Sequence, residues 1–258
     1  MSDDAARAAD PVDSIDPGEP AEEERSIHER KRAEIVARIP AWYSPALHLA
    51  VPSLFGLACL VFAATQIRGV QPIELLTIPL TLLAAFGFEF RVHMWVLHRR
   101  MPGLGLLYDR HELEHHVIYT YDDLAMRDRR ELRLILMPAY AVFLVAAINT
   151  PLALLLWKVT TPTVSELYLV TSMIFFLGYE WLHCMYHLPT DSFIGRRAII
   201  GLLREHHRRH HDPRLMKHWN FNVTLPLFDW LHGTTWSKER EAARAARRKA
   251  RARQARTA

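Results

Sequence analysis

The sequence predicts an all-helical integral membrane protein: about four transmembrane helices under a cytoplasmic, histidine-rich helical cap that holds a dimetal site. Three observations predict it. Four apolar runs are each long enough to cross a bilayer, which takes about 20 residues. If those runs alternate in direction, Lys and Arg concentrate in the segments on one side. Ten of the fifteen histidines form four clusters, and all four fall on that same side.

At 258 residues the chain has room for one domain of ordinary size. Its mean hydropathy of -0.04 would suit a soluble protein, but the average conceals a separation of apolar blocks from charged ends. Residues 1–40 read as a disordered acidic leader, Met1 to about Glu24, followed by a basic pre-membrane segment. The leader has no apolar core of the kind a secretory signal needs. Residues 41–236 carry the membrane domain. Residues 237–258 form a tail of Ala, Arg, Lys and Glu, a composition that favours helix and suits anionic head groups. The two cysteines, Cys59 and Cys184, sit inside apolar runs and read as buried thiols, not as a disulfide or a metal site.

The first run, Ala46 to Ile67, is free of formal charge. The second starts at Pro72 and reaches Leu97, with Glu89, Arg91 and His93 in its last turns. The third, Leu134 to Trp157, is uncharged and interrupted by Asn149-Thr150-Pro151, where a kink or re-entry is expected. The fourth spans Leu167 to His187, and Pro189 should stop it. Core helices of a soluble bundle would show polar faces; these do not. The segment before the first run carries Arg25, Arg30, Lys31, Arg32 and Arg38, and the middle loop carries seven arginines between Arg99 and Arg133. The other two loops add little beyond Arg68 and Lys158. Both termini and the middle loop are therefore predicted to be cytoplasmic, which would mean the inner membrane if the source is bacterial.

The histidine clusters are His93 and His98; His111, His115 and His116; His183 and His187; and His207, His210 and His211. A separation of four places two imidazoles on one helix face. His111/His115, His183/His187 and His207/His211 have it, and such a pair can bite one metal or flank two. His93 and His98, five apart, would diverge by about 140° on a straight α-helix. With Met101-Pro102-Gly103 close behind, the helix is expected to end or unwind there and let both rings turn inward. A lone buried histidine is more often a hydrogen-bonded core residue than a ligand, so His28, His48, His206, His218 and His232 keep that reading. Imidazole suits Zn, Cu, Fe and Ni. Ten histidines without cysteine exceed the four ligands of a structural zinc. Two octahedral ions offer twelve positions, and ten imidazoles leave about two for oxygen or water, the arrangement expected of a diiron centre.

The order His-x4-His, His-x3-His-His, His-x3-His, His-x2-His-His resembles the fatty acid hydroxylase/sterol desaturase superfamily of membrane diiron enzymes. The stretches YEWLHCMYHLP, REHHRRHHDP and HWNFNVTLPLFDWLHGT look like its bacterial members, and the resemblance covers roughly Phe88 to Thr235. It implies that the ten cluster histidines hold two iron ions and that O2 is the co-substrate. It further implies an oxidoreductase that oxidises an unactivated C–H bond of a fatty-acyl, sphingolipid or sterol-like substrate in lipid biosynthesis. No separate acid or base is expected beyond the metal centre. Glu180, Asn222 and Asp229 are candidates for orienting the imidazoles. The chain has no haem, ferredoxin or dinucleotide motif, so electrons are expected from an external ferredoxin or cytochrome b5-type donor. A nucleic-acid partner is not expected.

Two rivals stand beside the hydroxylase. A desaturase or carotenoid-type hydroxylase would use the same centre. A membrane metal-binding or transport protein is a different class, and transporters place polar ligands near the bilayer midplane. Here the clusters lie at one end.

Overall fold

A computed structural model describes residues 22–257, and they contain helices, turns and loops without a strand. Of the expected disordered leader, Met1 to about Glu24, residues 1–21 lie outside the described part, and Glu22, Glu23 and Glu24 are helical, forming the first turn of the first helix. Helix α1 (Glu22–Ala37) precedes the first span, α2 (Pro45–Gln66). Ser44 starts α2: its side chain accepts from the Leu47 amide at 3.3 Å, and Pro45 takes the first-turn position where no N–H is needed. A 3₁₀ turn (Pro72–Leu76) leads into α3 (Thr77–Val92), which continues as a π-helical turn, His93–Leu97. The cap begins with α4 (Gly105–Tyr108), a second π-helical segment (Asp109–His115), α5 (His116–Ile118) and α6 (Leu132–Ile135). The third and fourth spans are α7 (Ala141–Val159) and α8 (Pro162–Tyr186). Helix α9 (Ala198–His210), α10 (Leu227–His232) and the tail helix α11 (Lys238–Thr257) complete the chain.

Four helical stretches are long and apolar enough to cross a membrane: Pro45–Gln66, Pro72–Leu97, Ala141–Val159 and Pro162–Tyr186. Helix α8 is the hub, packed against α2, α3 and α7. Val142, Met173, Phe176 and Leu177 form the buried core between them. Outside that seam the spans turn apolar residues outward, among them Leu54, Phe62, Leu80, Leu144 and Leu154. Only 11% of the α7 window is buried. So much outward apolar surface would be costly in water and is what acyl chains require. The chain is an integral membrane protein.

The third run needs correction. Its first residues, Leu134 to Met137, do not belong to a span. Leu134 and Ile135 end the short α6, Leu136 turns extended (φ -78, ψ 150), and the span starts after Pro138 at Ala141. Hydropathy does not reveal that break because these residues are apolar for another reason: Leu134 and Ile135 join Ile118, Tyr119 and Leu124 in the core of the cap. At Asn149-Thr150-Pro151 helix α7 runs on without re-entry. Asn149 and Thr150 donate to Val145 O and Ala146 O at 2.8 Å each, and Asn149 also receives the Tyr168 hydroxyl. The polar side chains are thereby satisfied inside lipid.

Helix α1 is docked by one buried cation. The Arg32 guanidinium, 3% exposed, donates to Ile118 O (3.1 Å), Asp123 (3.0 Å), Ala125 O (3.1 Å) and Glu131 (2.7 Å). Ile35 and Ile39 add an apolar seal. Arg32, one of the charges that orients the chain in the sequence reading, is thus spent inside the protein.

Candidate metal centre

The ends of α3 and α8 carry His93, His98, His183 and His187 into the space beneath the cap, and α9 and the second π segment lower the other six onto them. All ten imidazoles are buried. Their nitrogens gather into two groups, His93, His98, His111, His116 and His210, and His115, His183, His187, His207 and His211. Within each group the candidate donor atoms lie within 4.8 Å of one another. The groups adjoin: His116 stacks on His211 with ring centroids 4.2 Å apart.

The local helix type explains which histidine joins which group. A π-helix hydrogen-bonds residue i to i+5 and so aligns residues five apart. His93 and His98 flank the first π turn, and His111 and His116 flank most of the second; both pairs enter the first group. The expected loosened helix end at His98 is therefore replaced by an ordered, wider turn. His183/His187 and His207/His211, four apart on α8 and α9, each stay together in the second group. His111 and His115, four apart on π-helical backbone, are divided between the two. Helix α8 stops at Tyr186, with His187 as its C-cap.

The outward nitrogens are held by the protein. Nδ1–H of His115 is directed to Leu134 O at 2.9 Å, that of His187 to Leu124 O at 2.8 Å, that of His210 to Trp219 O at 3.1 Å and that of His211 to Tyr119 O at 2.6 Å. His93 Nδ1 faces Phe221 O, and His98 Nδ1 meets the Glu112 carboxylate at 2.5 Å. An acceptor on Nδ1 fixes the proton there and leaves the Nε2 lone pair pointing inward. His98 and His210 are both fixed in this way, yet their Nε2 atoms are 2.9 Å apart. Two lone pairs at that distance have no proton to share and call for a cation between or beside them.

Other inward contacts run from 2.9 Å (His93 to His111) to 3.3 Å (His187 to His207). Imidazole nitrogens about 2.1 Å from a first-row ion stand about 3 Å apart when adjacent, so the spacing fits shared coordination. Burial holds His98, His111, His116, His187, His207, His210 and His211 below their ordinary range, and His115 down to about 3. They are neutral at pH 7, as metal ligands must be. Five neutral nitrogens per group exceed a tetrahedral zinc and leave one position of an octahedral ion open.

The proposed orienting residues act at a distance. Asp229 accepts from the amides of Phe221 (2.9 Å) and Asn222 (2.7 Å) and from the Thr234 hydroxyl (2.7 Å). Asn222 donates to Phe86 O at 3.1 Å and accepts from the Phe228 amide at 3.0 Å. Both therefore hold the 219–224 loop, whose Trp219 and Phe221 carbonyls meet His210 and His93. Glu180 accepts from the Met137 amide at 3.2 Å and touches no cluster imidazole.

Sequence reasoning missed Glu112, which joins His98 on one oxygen and Lys217 (2.9 Å) on the other. Its signal was an acid inside RHELEHH. It also missed Glu89, which receives the Val223 and Thr224 amides and the Thr224 hydroxyl. Its signal was a carboxylate inside a membrane span. The remaining histidines have structural partners: His48 lies between Tyr43 OH (2.7 Å) and Met137 O (2.8 Å), His28 meets Asp123 (3.2 Å), His206 meets Asp229 (3.3 Å), His232 meets Phe228 O (2.9 Å), and His218 meets Arg244 (2.9 Å). Cys59 and Cys184 are free, partly buried thiols.

A cavity of about 60 Å³ adjoins the centre. His111, His115 and His183 form one wall, with Leu97, Leu107, Leu134–Pro138, Tyr179 and Arg110 around the rest.

No curated protein matches the chain, and no solved structure matches it. The family model described as fatty acid hydroxylase matches residues 78–234, a stretch that contains all ten cluster histidines.

Proposed function

Because the chain belongs to the fatty acid hydroxylase family, whose members are membrane oxidoreductases, we propose that it is an O2-dependent diiron hydroxylase acting on a C–H bond of a membrane lipid. The observation that carries this reading is the pair of five-nitrogen groups, with the His98 and His210 lone pairs facing each other at 2.9 Å. Two iron ions held there would supply the redox chemistry that activates O2 and oxidises the substrate.

The protein's own part is holding, orienting and excluding. The ten imidazoles hold the metals, and the carbonyls of Tyr119, Leu124, Leu134, Trp219 and Phe221, with Glu112, orient the rings. The apolar cavity wall places a short stretch of chain beside His111, His115 and His183 and keeps bulk water from it. Loop charge supports a cytoplasmic centre with both termini on that side. The electron donor would then be a separate ferredoxin or cytochrome b5-type protein docking at the cytoplasmic face. Lys217, exposed, connects through Glu112 to His98 and gives the face a short link to the centre. Desaturation would start from the same centre, and product analysis separates it from hydroxylation.

Purified protein loaded with iron is the test. Two irons per chain, O2 consumption with lipid and reductant, and loss of iron in His210→Ala are expected. Tightly held zinc, with no O2 consumption after iron loading, would sink the reading in favour of a metal-binding protein. In a deletion strain, lipid profiling should reveal a species lighter by one oxygen.

A further inference from the structure

Away from its imidazole wall and Tyr179, the cavity beside the centre is lined by apolar side chains and one permanent cation. Arg110 is half-buried in its wall, adjacent in sequence to His111. Its guanidinium donates to the Arg133 carbonyl at 2.5 Å and uses a single one of its nitrogens to do so. The partly buried Arg133 side chain adds a second positive charge that acts on Arg110. No carboxylate among the described residues pairs with either one. Glu114 and Glu180 act on Arg110 only from beyond ion-pair contact.

Elsewhere in the cap, buried or partly buried guanidiniums have more partners: Arg32 meets Asp123 and Glu131, Arg208 and Arg209 meet Glu205, and Arg204, which has no carboxylate, gives its donors to the Tyr186, Met185 and Leu188 carbonyls. Arg110 in the cavity wall has donors free and no counter-charge, and the Arg133 charge acting on it adds to the imbalance, which is costly unless an anion arrives. A planar guanidinium matches a carboxylate or phosphate through paired N–H donors. The site also lies at the end of the membrane bundle, where Leu97 ends the second span and Tyr179 and His183 approach the end of the fourth. A head group would reach this level while its chain remained in lipid.

We infer that Arg110 and Arg133 form an anion subsite at the cavity, which takes the carboxylate or phosphate of an anionic amphiphile. This rests on the hydroxylase reading and specifies it: the cavity of about 60 Å³ admits a segment of only a few atoms. The oxidised carbon would therefore lie near the anionic end of the molecule and not far down its chain. Arg110 is a specificity-determining residue here, since it contacts the head group and leaves the metals to the histidines.

The experiment measures binding to the full-length protein in nanodiscs of neutral lipid, with palmitate, dodecyl phosphate, methyl palmitate and inorganic phosphate as probes. Metal content is measured on the same samples. Wild type should bind palmitate or dodecyl phosphate about tenfold more tightly than methyl palmitate, as expected for a charge-assisted contact. Which of the two anions leads identifies the head group, and inorganic phosphate should bind weakly because it lacks a chain. Arg110→Gln and Arg133→Gln should abolish the preference at unchanged metal content, and Arg110→Lys should retain much of it. Because Arg110 also supports the α6 carbonyl, Arg133→Gln serves as the variant that leaves that hydrogen bond in place. Equal binding of palmitate, dodecyl phosphate and methyl palmitate by wild type would overturn the subsite while leaving the hydroxylase reading intact. So would an anion preference that survives both glutamine variants. Absence of iron binding and O2 consumption in wild type would instead defeat the hydroxylase reading.

Discussion

His98 depends on a carboxylate that no ligand pattern singles out. Glu112 fixes its Nδ1 proton at 2.5 Å, and Lys217 in turn holds Glu112 at 2.9 Å. Glu112→Gln keeps the shape and loses the charge, so metal affinity should fall about 10- to 100-fold. Metal titration of the variant against wild type measures this; unchanged affinity would remove Glu112 from the centre. The histidines themselves were legible in the sequence because their residue type and clustering announce ligand chemistry. Their orienting partners were not, since most of them are backbone carbonyls, which every residue carries. Only the fold shows that Leu124, Leu134, Tyr119, Trp219 and Phe221 turn their carbonyls to the rings. Asp229 and Asn222, expected to orient the imidazoles, do so one step back, through the loop they hold.

At the scale of elements, the π turns decide the grouping. Deleting Val96 from His93–Leu97 would reduce the His93/His98 separation from five to four on a turn built for five. The first group should then lose a donor and, on the proposed diiron reading, its metal. Metal analysis of the folded variant checks this, and full occupancy would contradict it. The turn between α8 and α9 is equally constrained. A Cβ on Gly195 would lie 2.0 Å from the Pro189 carbonyl oxygen, and backbone cannot swing aside as a side chain would. Gly195→Ala should shift α9 and lower the melting temperature of the metal-loaded protein in detergent. The start of the first span, Pro45, was legible to within a residue of Ala46, but the fourth begins at Pro162, five residues before the expected Leu167, because the Thr161 cap and Pro162 start the helix ahead of the charged Glu166. The start of α7 was not legible, because Leu134 to Met137 are apolar for packing in the cap and lining the cavity, and hydropathy does not distinguish that from lipid.

Across the whole molecule, buried neutral histidines couple stability to pH. His115 is held down to about 3 by burial against an ordinary value of 6.5. Below pH 6.5 the unfolded chain takes up a proton that the folded protein refuses until about pH 3. The folded state is therefore fully favoured above 6.5 and loses ground as pH falls through that window. His111, His116, His187, His207, His210 and His211 shift in the same direction. Metal-free protein in detergent should melt at a lower temperature at pH 5 than at pH 7.5, and equal melting temperatures would refute the coupling. The cap also leans on α1. Arg32→Met removes a buried cation from Glu131 and two carbonyls and should destabilise by about 3 kcal/mol. Early proteolytic cleavage near Ala37 would report it.

Helix α9 closes both nitrogen groups, giving His210 to one and His207 and His211 to the other. A nascent chain synthesised only to the end of α8 has all four spans but lacks the donors that complete either group. Biogenesis therefore has an order built into the chain. Membrane insertion comes first, and any ions the two groups take would be captured only once the segment beyond residue 211 has left the ribosome and folded back over the bundle.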